Sequence, residues 1–118
     1  MSNILRIDGN KRYSEIVIHN STVYLSGQVP WNFEDYDFPI QAEDVFNSVQ
    51  NQLVKAGSDK SKLLSLRIYL RDPNDYEAMN IIYDKWIPEG CAPTRATIGN
   101  VIFPNPKWQI EVVAIAAI

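Results

Sequence analysis

Ile110-Glu111-Val112-Val113-Ala114-Ile115-Ala116-Ala117-Ile118 is the stretch on which the fold of this 118-residue sequence turns. Successive side chains of a β-strand point to opposite faces. Ile110, Val112, Ala114 and Ala116 therefore share one face, and Val113, Ile115 and Ala117 share the other. A strand that is apolar on both sides is covered on both sides. Helices of the same chain can cover one face, but a chain this short has little left for the other. A second subunit is the expected cover, which makes the protein a homo-oligomer. One carboxylate, Glu111, interrupts the apolar run. Burying it unpaired is costly, so it must lie near water, find a partner, or stay neutral through a raised pKa.

Immediately upstream, Thr94–Val101 and Trp108–Ile118 read as strands on either side of a Phe103-Pro-Asn-Pro106 turn. A hairpin of the two would bring Arg95, in Ala92-Pro-Thr-Arg-Ala-Thr-Ile98, within a few positions of Glu111. Two readings of that pair stand side by side. It is either a buried Arg–Glu bridge that only fixes the sheet, or an arginine fork for a substrate carboxylate beside a proton-handling acid.

Further out, Leu64, Leu66, Ile68 and Leu70 alternate as one face of a strand over 64–70. Ala42, Val45, Phe46, Val49, Leu53 and Ala56 recur at three- and four-residue spacing, which predicts a helix over 40–56 stopped by Gly57. Asp72-Pro73 is an N-cap followed by proline at the first helical position, opening a second helix that packs through Tyr76, Met79, Ile82, Tyr83 and Trp86 and ends before Pro88. Ile4–Ile7 is a short strand, and Glu15–His19 and Thr22–Ser26 form a hairpin around Asn20-Ser21. Trp31–Pro39 is an aromatic, acidic loop. The order β-β-β-α-β-α-β-β implies an α+β layer with both helices on one face of the sheet, and residues 1–118 read as a single domain without linker or repeat.

Composition narrows the functions. The chain is 46% hydrophobic and 21% charged, the balance of an ordinary globular protein. Its net charge is −3, so the concentrated basic surface that holds duplex nucleic acid is missing. No apolar run approaches the ~20 residues of a membrane span. Arg6, Asp8, Lys11 and Arg12 interrupt the N-terminal region before a secretory signal could form, so a cytoplasmic location is expected. A lone cysteine, Cys91, cannot form an internal disulfide or a cysteine-based zinc site, and the single histidine, His19, sits at a hairpin turn. Neither a metal nor a cofactor is expected. Asn80, between Tyr76 and Tyr83 on the second helix, is a mildly unfavourable helical residue whose presence suggests a hydrogen-bonding task.

Tyr13-Ser14, Tyr24-Leu-Ser26-Gly27-Gln28-Val29-Pro30, Asp75-Tyr-Glu-Ala-Met-Asn80, Ala92-Pro93-Thr-Arg95-Ala and Ile110-Glu111-Val-Val-Ala114-Ile115-Ala116 occur in this order. As a set they resemble the RidA (YjgF-type) imine deaminase family from Tyr13 onward. The resemblance implies a chorismate-mutase-like fold and a homotrimer around a central barrel, with ligand clefts between subunits. It also implies that Arg95 grips a substrate carboxylate, that Glu111 acts through a water, and that Tyr13, Ser26, Gly27, Asn80 and Thr97 line the cleft. The reaction implied is hydrolysis of reactive 2-imino or 2-enamino acids to 2-oxo acids and ammonia. Thr97 stands where the family commonly has cysteine, and Val113 where a second acid is frequent. The opening from Arg6-Ile-Asp8 through His19 and the Asn105-Pro-Lys-Trp108 turn resemble a YoaB-like side branch. The alternative from a different class is a protein that binds small carboxylate metabolites without turning them over. RNA cleavage, ascribed to some relatives, is disfavoured by the acidic balance and the missing histidine pair.

Overall fold

Alternating apolar residues build six strands and two amphipathic stretches build helices, in the expected order. A computed structural model describes residues 3–118. The elements are β1 (Leu5–Gly9), β2 (Ser14–His19), β3 (Thr22–Leu25), α1 (Phe38–Lys55), β4 (Leu63–Leu70), α2 (Tyr76–Trp86), β5 (Thr94–Ile98) and β6 (Ile110–Ala117). Asn20 and Ser21 both adopt positive φ, 51° and 61°, as a tight two-residue hairpin turn between β2 and β3 requires. Pro39 lies in the first turn of α1, where its missing N–H is no loss. The Asp72 side chain accepts from the Asn74 N–H, capping a short 3₁₀ turn that leads into α2.

The strands form one mixed sheet in the order β1-β2-β3-β6-β4-β5. β6 thus lies inside the sheet, antiparallel to both β3 and β4. β5 is parallel to β4 at the far edge. Parallel neighbours need a crossover connection, and α2 supplies it. The expected β5–β6 hairpin is therefore not formed: the 99–109 segment wraps around the end of β4, with Val101 N–H bonded to Leu70 O and Arg71 N–H to Gln109 O.

The inner face of the sheet, Ile16, Val23, Leu66, Ile68, Ile110, Val112, Ala114 and Ala116, meets Val45, Phe46, Val49 and Leu53 of α1 and Met79, Tyr83 and Trp86 of α2 in one core. Each such large side chain contributes about 1.5–3 kcal/mol by burial. Phe46 anchors the helix pair, its ring 5.8 Å from Tyr83 and 5.1 Å from Trp86. Leu64 departs from the expected face. A bulge between Leu63 and Ser65 adds a residue to β4, so Leu63 turns inward and Leu64 is exposed. Among the described residues no helix lies on the outer face, where Val17, Tyr24, Ile115, Val113, Tyr69 and Ile98 fall by register.

Candidate functional site

Beyond Leu25 the chain leaves β3 and runs across to β6. Gln28 and Val112 exchange backbone hydrogen bonds of 2.8 and 3.1 Å, which sets Gly27 beside Glu111. The carboxyl lies directly over the glycine. A β-carbon on Gly27 would sit 2.8 Å from Glu111 Cδ and 3.2 Å from Cγ, closer than side chains pack. Ser26 Oγ donates to the Ser14 carbonyl at 2.6 Å, and Ser26 N–H donates to Glu15 O, tying this crossing segment to β2.

Tyr13, Ser26, Gly27 and Glu111 line one recess of about 290 Å³, with Trp31 and Trp108 also on its wall. Glu111 reaches a second recess of about 310 Å³ as well, among Tyr69, Val101, Ile102 and Val113. Among the described residues it forms no ion pair. Burial alone raises its pKa above the ordinary 4.5, favouring the neutral acid relative to a carboxyl in water. A carboxyl so perturbed, open to a cavity, is equipped to exchange protons with a ligand or water.

Arg95 occupies a different place. By register it neighbours Leu66 and, through β4, Ala114, which puts it on the inner face, whereas Glu111 neighbours Tyr69 on the outer one. Its guanidinium lies over the rings of Tyr83 and Tyr76, at 4.9 and 5.8 Å, and donates to Tyr76 Oη at 3.2 Å. Among the described residues no carboxylate pairs with it. Thr97, two residues along the same edge strand, shares a recess of about 260 Å³ with Tyr76 and Gly99. The Thr97 Oγ1 atom is buried without a partner. Asn80 stands one helical turn from Tyr76 and three residues from Tyr83 on α2.

The candidate residues thus fall into two groups. Tyr13, Ser26, Gly27 and Glu111 share one recess; Arg95 and Thr97 stand apart from it on β5, with Asn80 on the neighbouring helix. The expected proximity of Arg95 to Glu111 is overturned. β4 intervenes between their strands, and the side chains emerge on opposite faces, so neither the internal bridge nor a one-chain fork is present. The sequence reading also missed Trp31, Trp108 and Glu15 on the recess wall. It missed Gln41 too, wholly buried in α1, whose Nε2 donates to Glu34 O, Tyr36 O and Lys107 O and whose Oε1 accepts from Gln109 N–H. A polar residue at a core-spaced helical position was the available signal for it. Arg71 donates to Trp108 O and Asn105 O and holds the turn before β6.

The family described as Endoribonuclease L-PSP matches residues 3–118. The chain belongs to this family, also known as YjgF/RidA. The RutC family protein YoaB of Escherichia coli (strain K12) is 41% identical over 115 residues, covering 98% of each chain. The YoaB-like branch expected from the opening residues and the turn before β6 is thereby supported. A crystal structure of a YjgF family member from Neisseria meningitidis superimposes with a TM-score of 0.90 at 35% identity, covering 98% of this chain and 94% of that one. A more distant relative from Dermatophagoides farinae, 28% identical over 109 residues (87% of this chain, 84% of its own), is named 2-iminobutanoate/2-iminopropanoate deaminase.

Proposed function

We propose that this RidA family protein is a hydrolytic deaminase of 2-imino acids whose site is assembled between copies of the chain. The observation that carries the reading is the separation of two complementary half-sites. Glu111, over Gly27, offers a proton-handling acid at a cavity but no anion-binding group. Arg95 offers an anion-binding fork with no carboxylate partner among the described residues, at a sheet edge. A second copy set against the uncovered outer face would bring one copy's Arg95 to the other's Glu111. The homotrimer implied by the family resemblance closes such contacts in a ring, each seam alike. The named activity of the mite relative supports the reaction class.

The chemistry follows from the groups. Arg95 holds the substrate carboxylate, with Thr97 and Asn80 beside it, and so orients a ligand that offers few other handles. Water adds to the electrophilic carbon of the protonated imine while Glu111 accepts the water's proton. Glu111 then returns that proton to nitrogen. The C–N bond then breaks as the carbonyl forms, with Glu111, a carboxylate again, taking the hydroxyl proton; ammonia and a 2-oxo acid are released. Tyr13 and the Ser26–Gly27 backbone shape the cavity floor. No step calls for a redox change or a covalent intermediate on the protein.

Release of 2-oxo acid and ammonia from imines generated in place by an amino-acid oxidase tests this. Acceleration over buffer, lost in Arg95→Ala, is expected; equal rates with and without protein would refute it.

A further inference from the structure

The proposed reaction uses the carboxylate, imine and water, and leaves one wall of the Glu111 recess without a task. That wall is the Trp31–Trp108 pair, their rings edge to face at 5.2 Å and 80°. Trp31 is 64% exposed, an expensive placement for the largest apolar side chain unless something covers it. The pair is also held. Gln41, fully buried, clamps the loop after Trp31 to the turn before β6, and Arg71 fixes Trp108 through its carbonyl at 2.7 Å. Such a wall is preorganised: a ligand that lies on it loses little to ordering the protein. The recess, about 290 Å³, is close to the small end of the ~300–1,000 Å³ typical of drug-sized ligands. The short chain of a three- or four-carbon imino acid would leave the indoles largely uncovered.

We infer that Trp31 and Trp108 form a side-chain subsite that selects 2-imino acids carrying an aromatic or large apolar substituent. This rests on the deaminase reading for the reaction but not for the binding. Two indoles set nearly perpendicular on one wall suit a ring or a branched alkyl group, by stacking and by area removed from water. Glu15 also lines the recess. A cationic substituent is therefore the rival ligand that the experiment must include.

Calorimetric titration of the full chain with phenylpyruvate, 2-oxobutanoate and 5-guanidino-2-oxopentanoate separates the cases, alongside turnover of the corresponding imines. Phenylpyruvate is expected to bind at least about tenfold tighter than 2-oxobutanoate, the low end of what a single methylene is worth in an apolar pocket. Trp31→Ala, at a position 64% exposed, should shrink that ratio several-fold, and Trp31→Phe should restore most of it. The same order in kcat/KM for the imines supports the inference further. Tight phenylpyruvate binding that depends on Trp31, without turnover of any imine, upholds the subsite while refuting the deaminase. Equal affinities, tighter binding of the guanidino acid, or a ratio untouched by Trp31→Ala overturn the subsite even if imines are hydrolysed. Trp31→Ala that alters the oligomeric mass and leaves the ratio unchanged also overturns it, making the indole a contact between copies.

Discussion

The carboxyl of Glu111 rests on the backbone of Gly27, with no room for a β-carbon between them. The φ of Gly27 is not positive, so the requirement is space rather than backbone freedom. In Gly27→Ala the methyl must displace the carboxyl. We expect kcat for imine hydrolysis to fall about 10²-fold, the scale of a misplaced catalytic group, with a much smaller change in melting temperature. Steady-state kinetics beside a thermal melt check this; a full loss of fold with no residual soluble protein would assign the glycine to stability instead.

Arg95 and Glu111 emerge on opposite faces of one sheet. If the site joins two copies, Arg95→Ala and Glu111→Gln should each be inactive alone yet restore activity when unfolded together and co-refolded. Random trimers of a one-to-one mixture carry about a quarter of their seams intact, so roughly 25% of native activity is expected. Activity no higher than the two separate variants would place both residues in the same one-chain site.

Burial raises the pKa of Glu111 above 4.5. The folded state therefore holds a proton that the unfolded state has lost, and stability declines as pH rises from the unfolded value through the folded one, then levels. Glu111→Gln removes that decline and should raise the melting temperature at pH 7 relative to the native chain. Melts between pH 4 and 8 test it; a native curve parallel to the variant's would contradict the assignment. Hydrolysis, which needs the ionised form as base, should fall on the acid side of the same titration.

Gln41 satisfies four backbone groups from one buried side chain. Gln41→Leu leaves three carbonyls and one N–H unpaired by it, and should cost about 2–4 kcal/mol in urea unfolding, since each buried orphan carries a penalty of roughly 1–3 kcal/mol and some regain water. A loss below about 0.5 kcal/mol would show that the 31–37 loop is held by other contacts.

Much of this architecture was legible in the residues. The three-and-four spacing of Val45, Phe46, Val49 and Leu53 reports a packed helix face, and the alternation of Ile110, Val112, Ala114 and Ala116 reports the core-facing side of β6. Register between strands was not legible. Local spacing around Phe103-Pro-Asn-Pro106 suits a hairpin equally well, and only the α2 crossover, a matter of chirality and packing, sends β5 to the edge beside β4. Leu64 was misplaced for a related reason: a bulge resets the two-residue period without marking the sequence. Of the candidate site, Tyr13, Ser26, Gly27 and Glu111 converge, but the tryptophan wall and Gln41 depend on contacts between segments some 70 positions apart, which no periodicity encodes.

Splitting the two charged groups between opposite surfaces of a sheet makes solitude a form of inactivity. On the assembly proposed above, a freshly released chain carries both reactive groups yet cannot hydrolyse anything until it meets its like. Specific activity should then vanish on dilution below the association threshold, and a lag should follow refolding that shortens as chains become more abundant.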